Sequence, residues 1–339
     1  MTLRADTLAA GQGWSVSDIL CSAGPHDRPF EEQHSAVCIA AVMRGRFQYR
    51  TTQGAATLVP GALLLGNHQS CFECGHDHTV GDRCLSFMFD PAYFAAILSA
   101  IPGVRSEAFH LPRVPPMMSL TRILADAELA CIEHDQVWLE QLALDLAGRA
   151  AGLNAASTGP ETGPTDRDGQ RIATALDRIE RNPDAPHSIA DLAKEAAMSP
   201  YHFLRVFTRL TGMTPHQFVL RTRLQKAAVQ LRRSTRSVLD IALDAGFADL
   251  STFNHRFRAI MGMTPTVYRG SRARVSQACQ PPGSGRPVLR RSLPGPCNPR
   301  PPSQCGGVGR RHAQFADCGL ADWGSLADRG CFSDVVIPN

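Results

Sequence analysis

The sequence repeats one short unit within its C-terminal half. Residues 207–215 read FTRLTGMTP and residues 257–265 read FRAIMGMTP, so Phe, Gly, Met, Thr and Pro recur at an offset of 50. Further upstream, IADLA at residues 189–193 matches VLDIA at residues 238–242 at an offset of 49. The difference predicts one inserted residue in the second copy, at the turn that contains Gly246. Both copies must therefore adopt the same local structure, which constrains the fold strongly.

Each copy has the pattern of two helices joined by a tight turn. In the first copy, apolar residues recur at helical spacing on both sides of Met198-Ser199. Ser199 is a favourable N-cap, and Pro200 suits the first position of a helix. The second copy repeats this pattern around Gly246. A helix, a turn and a second helix form the helix-turn-helix unit, whose second helix enters the DNA major groove.

The outward face of each second helix carries the side chains that we predict to contact double-stranded DNA. Polar side chains suit base edges and phosphates, and a leucine suits the thymine methyl group. The predicted DNA-binding residues are Ser199, Tyr201, Leu204, Arg205, Thr208 and Arg209 in the first copy, and Ser251, Thr252, Asn254, His255, Arg256 and Arg258 in the second. Between the copies, a longer helix that begins at Thr214-Pro215 is expected to hold the two units at a fixed separation.

The segment from Ile172 to Arg269 resembles the DNA-binding domain of the AraC/XylS family of transcription regulators. The resemblance implies seven helices and two units that read successive major grooves on one face of the duplex. The residues that carry it are Ala193, Ser199, Phe203, Arg205, Phe207, Gly212, Pro215, Arg223, Ala227, Leu231, Ile241, Ala242, Gly246, Phe247, Phe253, Phe257, Gly262, Thr264, Pro265, Tyr268 and Arg269.

Charge is distributed unevenly along the 339 residues, a length that favours two domains. Residues 1–150 contain ten Arg, no Lys and sixteen acidic residues, a formal charge of −6. Residues 168–272 contain sixteen Lys and Arg against nine acidic residues, a formal charge of +7. A basic module beside an acidic one indicates a DNA-binding half and a half that binds something else.

The sequence shows no apolar run of membrane-spanning length and no secretory signal. We therefore expect a cytoplasmic protein without a membrane partner. Its eleven cysteines are then expected to be reduced.

The first part of the chain is predicted to be rich in short strands. Candidate strands lie at residues 37–42, 46–51, 56–59, 63–65 and 84–89, whereas glycines and prolines in residues 1–35 are expected to break any long element. The phrase PGALLLGN at residues 60–67 resembles the cupin-like N-terminal domain of some AraC-type regulators, which implies a small barrel or jelly roll. Two amphipathic helices within residues 91–153 are expected to pack on it, and the family resemblance favours a homodimer through them.

The predicted fold class is α+β with two domains. A cupin-like sensing and dimerisation domain with flanking helices is expected at residues 1–153, followed by a flexible linker at 154–169 that is rich in Gly, Thr, Ser and Pro. An all-α double helix-turn-helix domain is expected at 170–272. The Pro-rich and Arg-rich residues 273–339 are predicted to be a disordered tail.

Outside the repeat, one group of residues has the chemistry of a metal site. Cys74, His76 and His78 alternate along a segment that would direct them to one face if it is extended, and Cys84 follows nearby. Such ligands can bind zinc or another transition metal. His76, His78 and Asp82 also partly resemble the metal-binding pattern of cupins. Two alternatives stay open: a polar, hydrogen-bonded loop at the barrel mouth, and a redox-sensing thiol beside a protonated histidine.

The sequence contains no nucleophile elbow, P-loop or dinucleotide fingerprint, so we predict that the protein is not an enzyme. The leading hypothesis is a sequence-specific transcription regulator that responds to a small effector at its N-terminal domain. RNA polymerase is a further candidate partner. The alternative is a bifunctional protein whose N-terminal barrel is a metal-dependent enzyme.

Overall fold

The computed structural model describes residues 3–24, 27, 31–76, 81–101, 104, 106, 108–157 and 166–271. These residues belong to one compact unit with a β-rich N-terminal region, residues 3–157, and a helical C-terminal region, residues 166–271. The prediction of an α+β fold is therefore confirmed at this level. The predicted tail lies outside the described residues.

The described residues form ten strands and ten α-helices. The strands are β1 (Leu3–Gly11), β2 (Trp14–Cys21), β3 (Glu31–Gln33), β4 (Val37–Arg44), β5 (Phe47–Thr51), β6 (Gly54–Leu58), β7 (Leu63–Gly66), β8 (Cys71–Gly75), β9 (Asp82–Phe89) and β10 (Arg113–Val114). The helices are α1 (Pro91–Ser99), α2 (Thr121–Glu133), α3 (Gln136–Ala156), α4 (Asp166–Arg181), α5 (Ile189–Glu195), α6 (Pro200–Thr211), α7 (Pro215–Arg233), α8 (Val238–Asp244), α9 (Leu250–Met261) and α10 (Pro265–Gly270). A short 3₁₀ helix at Met118–Leu120 precedes α2.

The first strands correct one sequence-based expectation. Residues 1–35 were expected to lack long elements, but β1 and β2 pair as an antiparallel hairpin in which Gly11 lies opposite Trp14. Gly13 has a φ of 84°, a conformation that glycine adopts without strain. The glycines therefore form the hairpin turn, and the strands continue on both sides of it.

Two antiparallel sheets face each other in the N-terminal region. One has the strand order β1-β2-β9-β4-β7-β10, and the other has the order β3-β8-β5-β6. Side chains from both sheets meet in one apolar cluster, where Cys38 and Cys84 of the first sheet pack with Tyr49 and Leu58 of the second. Within the described residues the sheets form no closed barrel, so the prediction of a cupin-like barrel is not confirmed.

The helices α2 and α3 bury their apolar faces within the chain. Leu124 and Leu139 lie in a core that also contains strand residues such as Phe87 and residues of the C-terminal region such as Phe257. α3 extends to Ala156 and α4 begins at Asp166, so both helices reach into the predicted linker. The described part of the chain contains no helix long and apolar enough to cross a membrane.

Candidate nucleic-acid interface

The two copies of the repeat fold as two equivalent heads. The first head comprises residues 189–212 (α5, α6 and the cap that follows), and the second comprises residues 238–262 (α8, α9 and the cap that follows). Each second helix ends at a glycine with a positive φ, 74° at Gly212 and 78° at Gly262. With α4, α7 and α10 they give the seven helices that the family resemblance implies within residues 166–271.

The turn between the two helices of the second head contains the predicted one-residue insertion. Ala197 has a φ of 51° and Gly246 a φ of 83°, at the offset of 49, whereas the N-caps Ser199 and Asp249 are separated by 50. The insertion therefore lies between the left-handed residue and the N-cap. A Cβ atom at Gly246 would lie 2.5 Å from the carbonyl oxygen of Asp184, so only glycine fits there.

The twelve predicted DNA-binding residues lie on accessible faces of the two heads. All are exposed except Leu204 and Thr208, which are partly buried. Tyr201 is 77% exposed, so its ring is accessible to a partner. Two of the twelve also take part in helix caps. Ser199 is the N-cap of α6 and accepts a hydrogen bond from the His202 amide, and Thr252 donates its hydroxyl hydrogen to Asp249, the N-cap of α9.

The helix α7 connects the heads rigidly. Its N-cap Thr214 and Gln217 form a reciprocal capping box, as the Thr214-Pro215 sequence indicates. Arg223 lies further along α7 and donates hydrogen bonds to the carbonyl oxygens of Pro183, Ala185 and Gly246. Arg223 thus ties α7 to the loop before the first head and to the turn of the second.

One stretch of the N-terminal region touches both heads. We call residues 113–126 the bridging segment. At its start, Arg113 donates a hydrogen bond to Leu210 O of the first head over 2.9 Å. Further on, Arg122 lies beside Gly262 at the end of the second head, where its guanidinium is 3.4 Å from the position that a Cβ atom on this glycine would occupy. Asp126 accepts a hydrogen bond from the Tyr268 hydroxyl of α10 over 2.7 Å. The bridging segment therefore contacts the C-terminal ends of α6 and α9 and also reaches α10.

A second contact between the regions contains buried charged groups. Arg46 forms an ion pair with Asp177 of α4 over 3.1 Å, and the Gly45 amide donates to the Glu180 carboxylate over 3.3 Å. Burial raises the pKa of Glu180 to about 7, although the Gly45 hydrogen bond opposes the shift. Arg221 of α7 is fully buried and donates to the carbonyl oxygen of Pro60 over 2.7 Å.

Burial lowers the pKa of Arg221 to about 10. Its Nη1 donates to Gln225, and its guanidinium lies 4.9 Å above the ring of Phe218. A buried cation is costly unless it is hydrogen-bonded, so these partners fix α7 against the Pro60 turn.

Comparison with known proteins decides the family. A family model described as a helix-turn-helix domain matches residues 192–271. Regulatory protein SoxS of Salmonella typhimurium is 35% identical over 100 residues, which cover 30% of this chain and 94% of SoxS. The chain belongs to the AraC/XylS family of transcription regulators.

Other proteins are similar to this AraC-type regulator over about the same share of the chain. An uncharacterised HTH-type transcriptional regulator of Haemophilus influenzae is 38% identical over 102 residues, 30% of this chain and 34% of that protein. The chain thus matches only about a third of the Haemophilus protein. Among solved structures, the DNA-binding domain of AdpA in complex with a target DNA is 29% identical, covers 30% of this chain and 90% of that one, and has a TM-score of 0.29.

The predicted metal-binding set of the AraC-type regulator is only partly brought together. His78 lies outside the described residues, so the set Cys74, His76, His78 and Cys84 stays a prediction as a whole. Of its described members, His76 lies 3.5 Å from the sulfur of Cys21 and 3.1 Å from Asp82, while Cys74 and Cys84 do not join this group. Cys21 was not among the predicted ligands, because it lies 55 residues from His76 in sequence.

The thiols of Cys74 and Cys84 lie in an environment that opposes ionisation. Both border the apolar cluster between the sheets, and burial raises the pKa of each thiol well above its usual value. Because the thiolate is the reactive form, this burial disfavours the hypothesis of a redox-sensing cysteine at these two positions. His76 differs: burial opposes its charge, but contacts with Asp82 and Cys21 outweigh burial and raise its pKa to about 10.

Proposed function

We propose that this regulator binds double-stranded DNA in a sequence-specific manner through both heads and responds to a small effector in its N-terminal region. The observation that carries the proposal is the equivalence of the two heads. In each head the second helix begins at a polar N-cap, ends at a glycine with a positive φ and exposes polar side chains on its outward face. The formal charge of +7 on residues 168–272 supports it, because cations on the protein neutralise DNA phosphates.

The outward residues support two reading heads with different base preferences. Arg205 and His255 occupy equivalent positions in α6 and α9, and both side chains are exposed. An arginine can donate two hydrogen bonds to the O6 and N7 atoms of guanine, whereas a histidine offers fewer donors. We therefore assign the stronger base contact to the first head.

The bridging segment supports a route from the N-terminal region to DNA. It contacts the end of α6 through Leu210 O and lies beside Gly262 at the end of α9. An effector that shifts the bridging segment would change the relative placement of both heads at once. Affinity for DNA then depends on which arrangement the effector favours.

Further partners are proposed on family resemblance alone. A homodimer would need a surface other than the apolar faces of α2 and α3, because residues such as Leu124 and Leu139 are already buried within one chain. RNA polymerase is a candidate partner of a regulator of this family. The relatives named above are transcription regulators, and we propose no enzymatic activity for this chain.

Selection of binding sites tests the proposal directly. The full chain would be incubated with a random pool of DNA duplexes, and the retained duplexes would be sequenced. We expect a motif with two conserved segments about 10 base pairs apart, with an affinity that falls steeply as salt is raised. Retention of duplexes without any enriched motif would contradict sequence-specific binding.

A further inference from the structure

Three side chains converge where the two sheets meet at one edge. Cys21 ends β2 and Asp82 begins β9, and these two residues are direct partners in the antiparallel pairing. His76 directly follows β8 of the other sheet. The Cys21 sulfur, the His76 Nε2 and an Asp82 oxygen all lie within 4.8 Å of one another.

The two separations from His76 are close to those between ligands of one tetrahedral metal ion, and the third separation, from Cys21 to Asp82, is within 4.8 Å. Bonds of about 2.0–2.3 Å from zinc to N, O and S place neighbouring ligands about 3.3–3.7 Å apart. The distance from His76 Nε2 is 3.5 Å to the Cys21 sulfur and 3.1 Å to Asp82 Oδ2. Small side-chain adjustments are therefore sufficient to admit an ion.

The surroundings favour a bound ion over solvent. The His76 and Asp82 side chains are 8% and 5% exposed, and the His76 ring stacks on Phe47 with the ring centres 5.9 Å apart. Asp82 Oδ2 is buried, and its close partner in the described part of the chain is the His76 ring nitrogen 3.1 Å away. A buried carboxylate needs a cationic partner, and a metal ion bound between the two side chains would take the place of the His76 proton in this role.

We propose that Cys21, His76 and Asp82 bind a divalent transition metal, with zinc as the best match. A thiolate, an imidazole and a carboxylate are zinc ligands, and sites with three protein ligands keep a fourth position for water or a small molecule. The proposed set shares His76 with the four residues predicted as ligands from the sequence, and it shares His76 and Asp82 with the cupin-like pattern.

The site lies beside the contact between the two regions. A Cβ atom on Gly45 would lie 2.8 Å from the Cα of Asp82, and the Gly45 amide donates to Glu180 of α4. A metal that fixes Asp82 would thus also fix the Gly45 turn against the C-terminal region. This regulatory extension rests on the proposed function, whereas metal binding itself does not.

The test of metal binding uses Co²⁺ as a spectroscopic probe of the metal-free full chain. We expect one Co²⁺ per chain with an absorption band from sulfur-to-metal charge transfer. Asp82→Asn, which keeps the size of the side chain, should weaken this binding by about tenfold or more, and Cys21→Ser should remove the band. Cys131→Ser is the matched control, because Cys131 is a buried free cysteine in α2 outside this group.

The possible outcomes separate the proposal from its rivals. No sulfur band in the wild type would overturn the site and leave only the His76–Asp82 ion pair. A band of equal strength in the wild type and in the Cys21→Ser and Asp82→Asn variants would assign the metal to other cysteines and would also overturn it.

The regulatory extension is tested separately, by measuring DNA affinity with and without Zn²⁺ for the wild type and Asp82→Asn. We expect Zn²⁺ to change the affinity of the wild type alone. Equal affinities would overturn the regulatory link while leaving the site intact. Absence of DNA binding under every condition would instead contradict the proposed function, and the Co²⁺ titration would still decide the metal site.

Discussion

The first head packs its apolar face on α4 and on Val59 of the N-terminal region, whereas the second head shares one core with α2 and α3. Equivalent residues thus lie in different surroundings. Phe207 contacts Phe203 and Phe218 within the first core, while Phe257 contacts Phe253 and Tyr268 in the shared core. The repeated sequence gives both heads the same local fold. The elements that pack against each head differ, so a structural change elsewhere in the chain reaches each head by a different route.

This difference in packing implies that the two heads respond unequally to structural changes in the N-terminal region. The second head is continuous with the helices α2 and α3, so a change in their packing reaches it directly. The first head receives the same change mainly through α4, Val59 and the start of the bridging segment. We therefore expect an effector to act more strongly on the second head.

The largest expected effect comes from removing the equivalent core aromatics. Phe207→Ala and Phe257→Ala should each lower the free energy of unfolding by about 3–5 kcal/mol, because each leaves a cavity in a fully packed core. Hydrogen exchange should show faster exchange in α4–α6 for Phe207→Ala, and in α2, α3 and α9 for Phe257→Ala. If the same helices exchanged faster in both variants, the two heads would not belong to separate cores.

A smaller effect is expected at the hydrogen bond that links the regions near the second head. Tyr268→Phe removes the 2.7 Å hydrogen bond to Asp126 and should cost about 1.5–3 kcal/mol of stability, because the acceptor is a buried carboxylate. Thermal unfolding measures the loss. Tyr201→Phe is the control, because the Tyr201 side chain is exposed on the first head. Equal melting temperatures for both variants would show that this contact does not hold the regions together.

Substitutions on the outward faces should separate the heads in DNA binding. Arg205→Ala should cost about 1–3 kcal/mol of binding free energy and relax specificity at one base pair, and His255→Ala should cost less. Titration of a labelled operator duplex gives both values. Arg149→Ala serves as control, since Arg149 is a surface residue of α3 paired with Asp145. An Arg205→Ala variant as tight and selective as the wild type would refute the assignment of this residue.

The smallest expected effect is a pH dependence at the contact through Glu180. Its folded pKa of about 7 lies above the ordinary value of 4.5, so the folded state prefers the protonated carboxyl group. This contribution is fully present below pH 4.5 and is lost as the pH rises through about 7. Asp177, Arg46 and Arg221 also act on this group, and Asp177 favours protonation while both arginines oppose it.

Comparison with Glu180→Gln isolates this contribution. Glutamine imitates the protonated side chain, so the wild type should lose melting temperature relative to the variant as the pH rises through about 7. A constant difference between the two proteins from pH 4.5 to above 7 would show that Glu180 is not protonated on folding.

Local features of the heads could be predicted from the sequence because short-range chemistry determines them. Ser199 and Thr214 are N-caps, and the inserted residue lies at the predicted turn. Glycine and proline positions mark where the helices of the heads begin and end. The repeat shows each of these local patterns twice. The strand candidates at residues 46–51 and 56–59 depend on equally local information and agree with the pairing of β5 and β6.

Contacts between distant residues could not be predicted in the same way. Arg221 lies within the long helix that is predicted to begin at Thr214-Pro215, yet its guanidinium is buried against Pro60, 161 residues earlier in the chain. Cys21 joins His76 only because β2 pairs with β9, and β2 was missed when Gly11 and Gly13 were interpreted as breakers. Strand pairing is decided by packing over the whole sheet, which a single sequence does not reveal.

A base-substitution scan of the operator tests most directly whether two heads read one site. Affinities of the wild type, Arg205→Ala and His255→Ala would be measured on duplexes with each base pair changed in turn. We expect two sensitive segments about 10 base pairs apart. Arg205→Ala should abolish sensitivity within one segment and His255→Ala should reduce it within the other. A single sensitive segment, or loss of sensitivity in the same segment for both variants, would contradict reading by two heads.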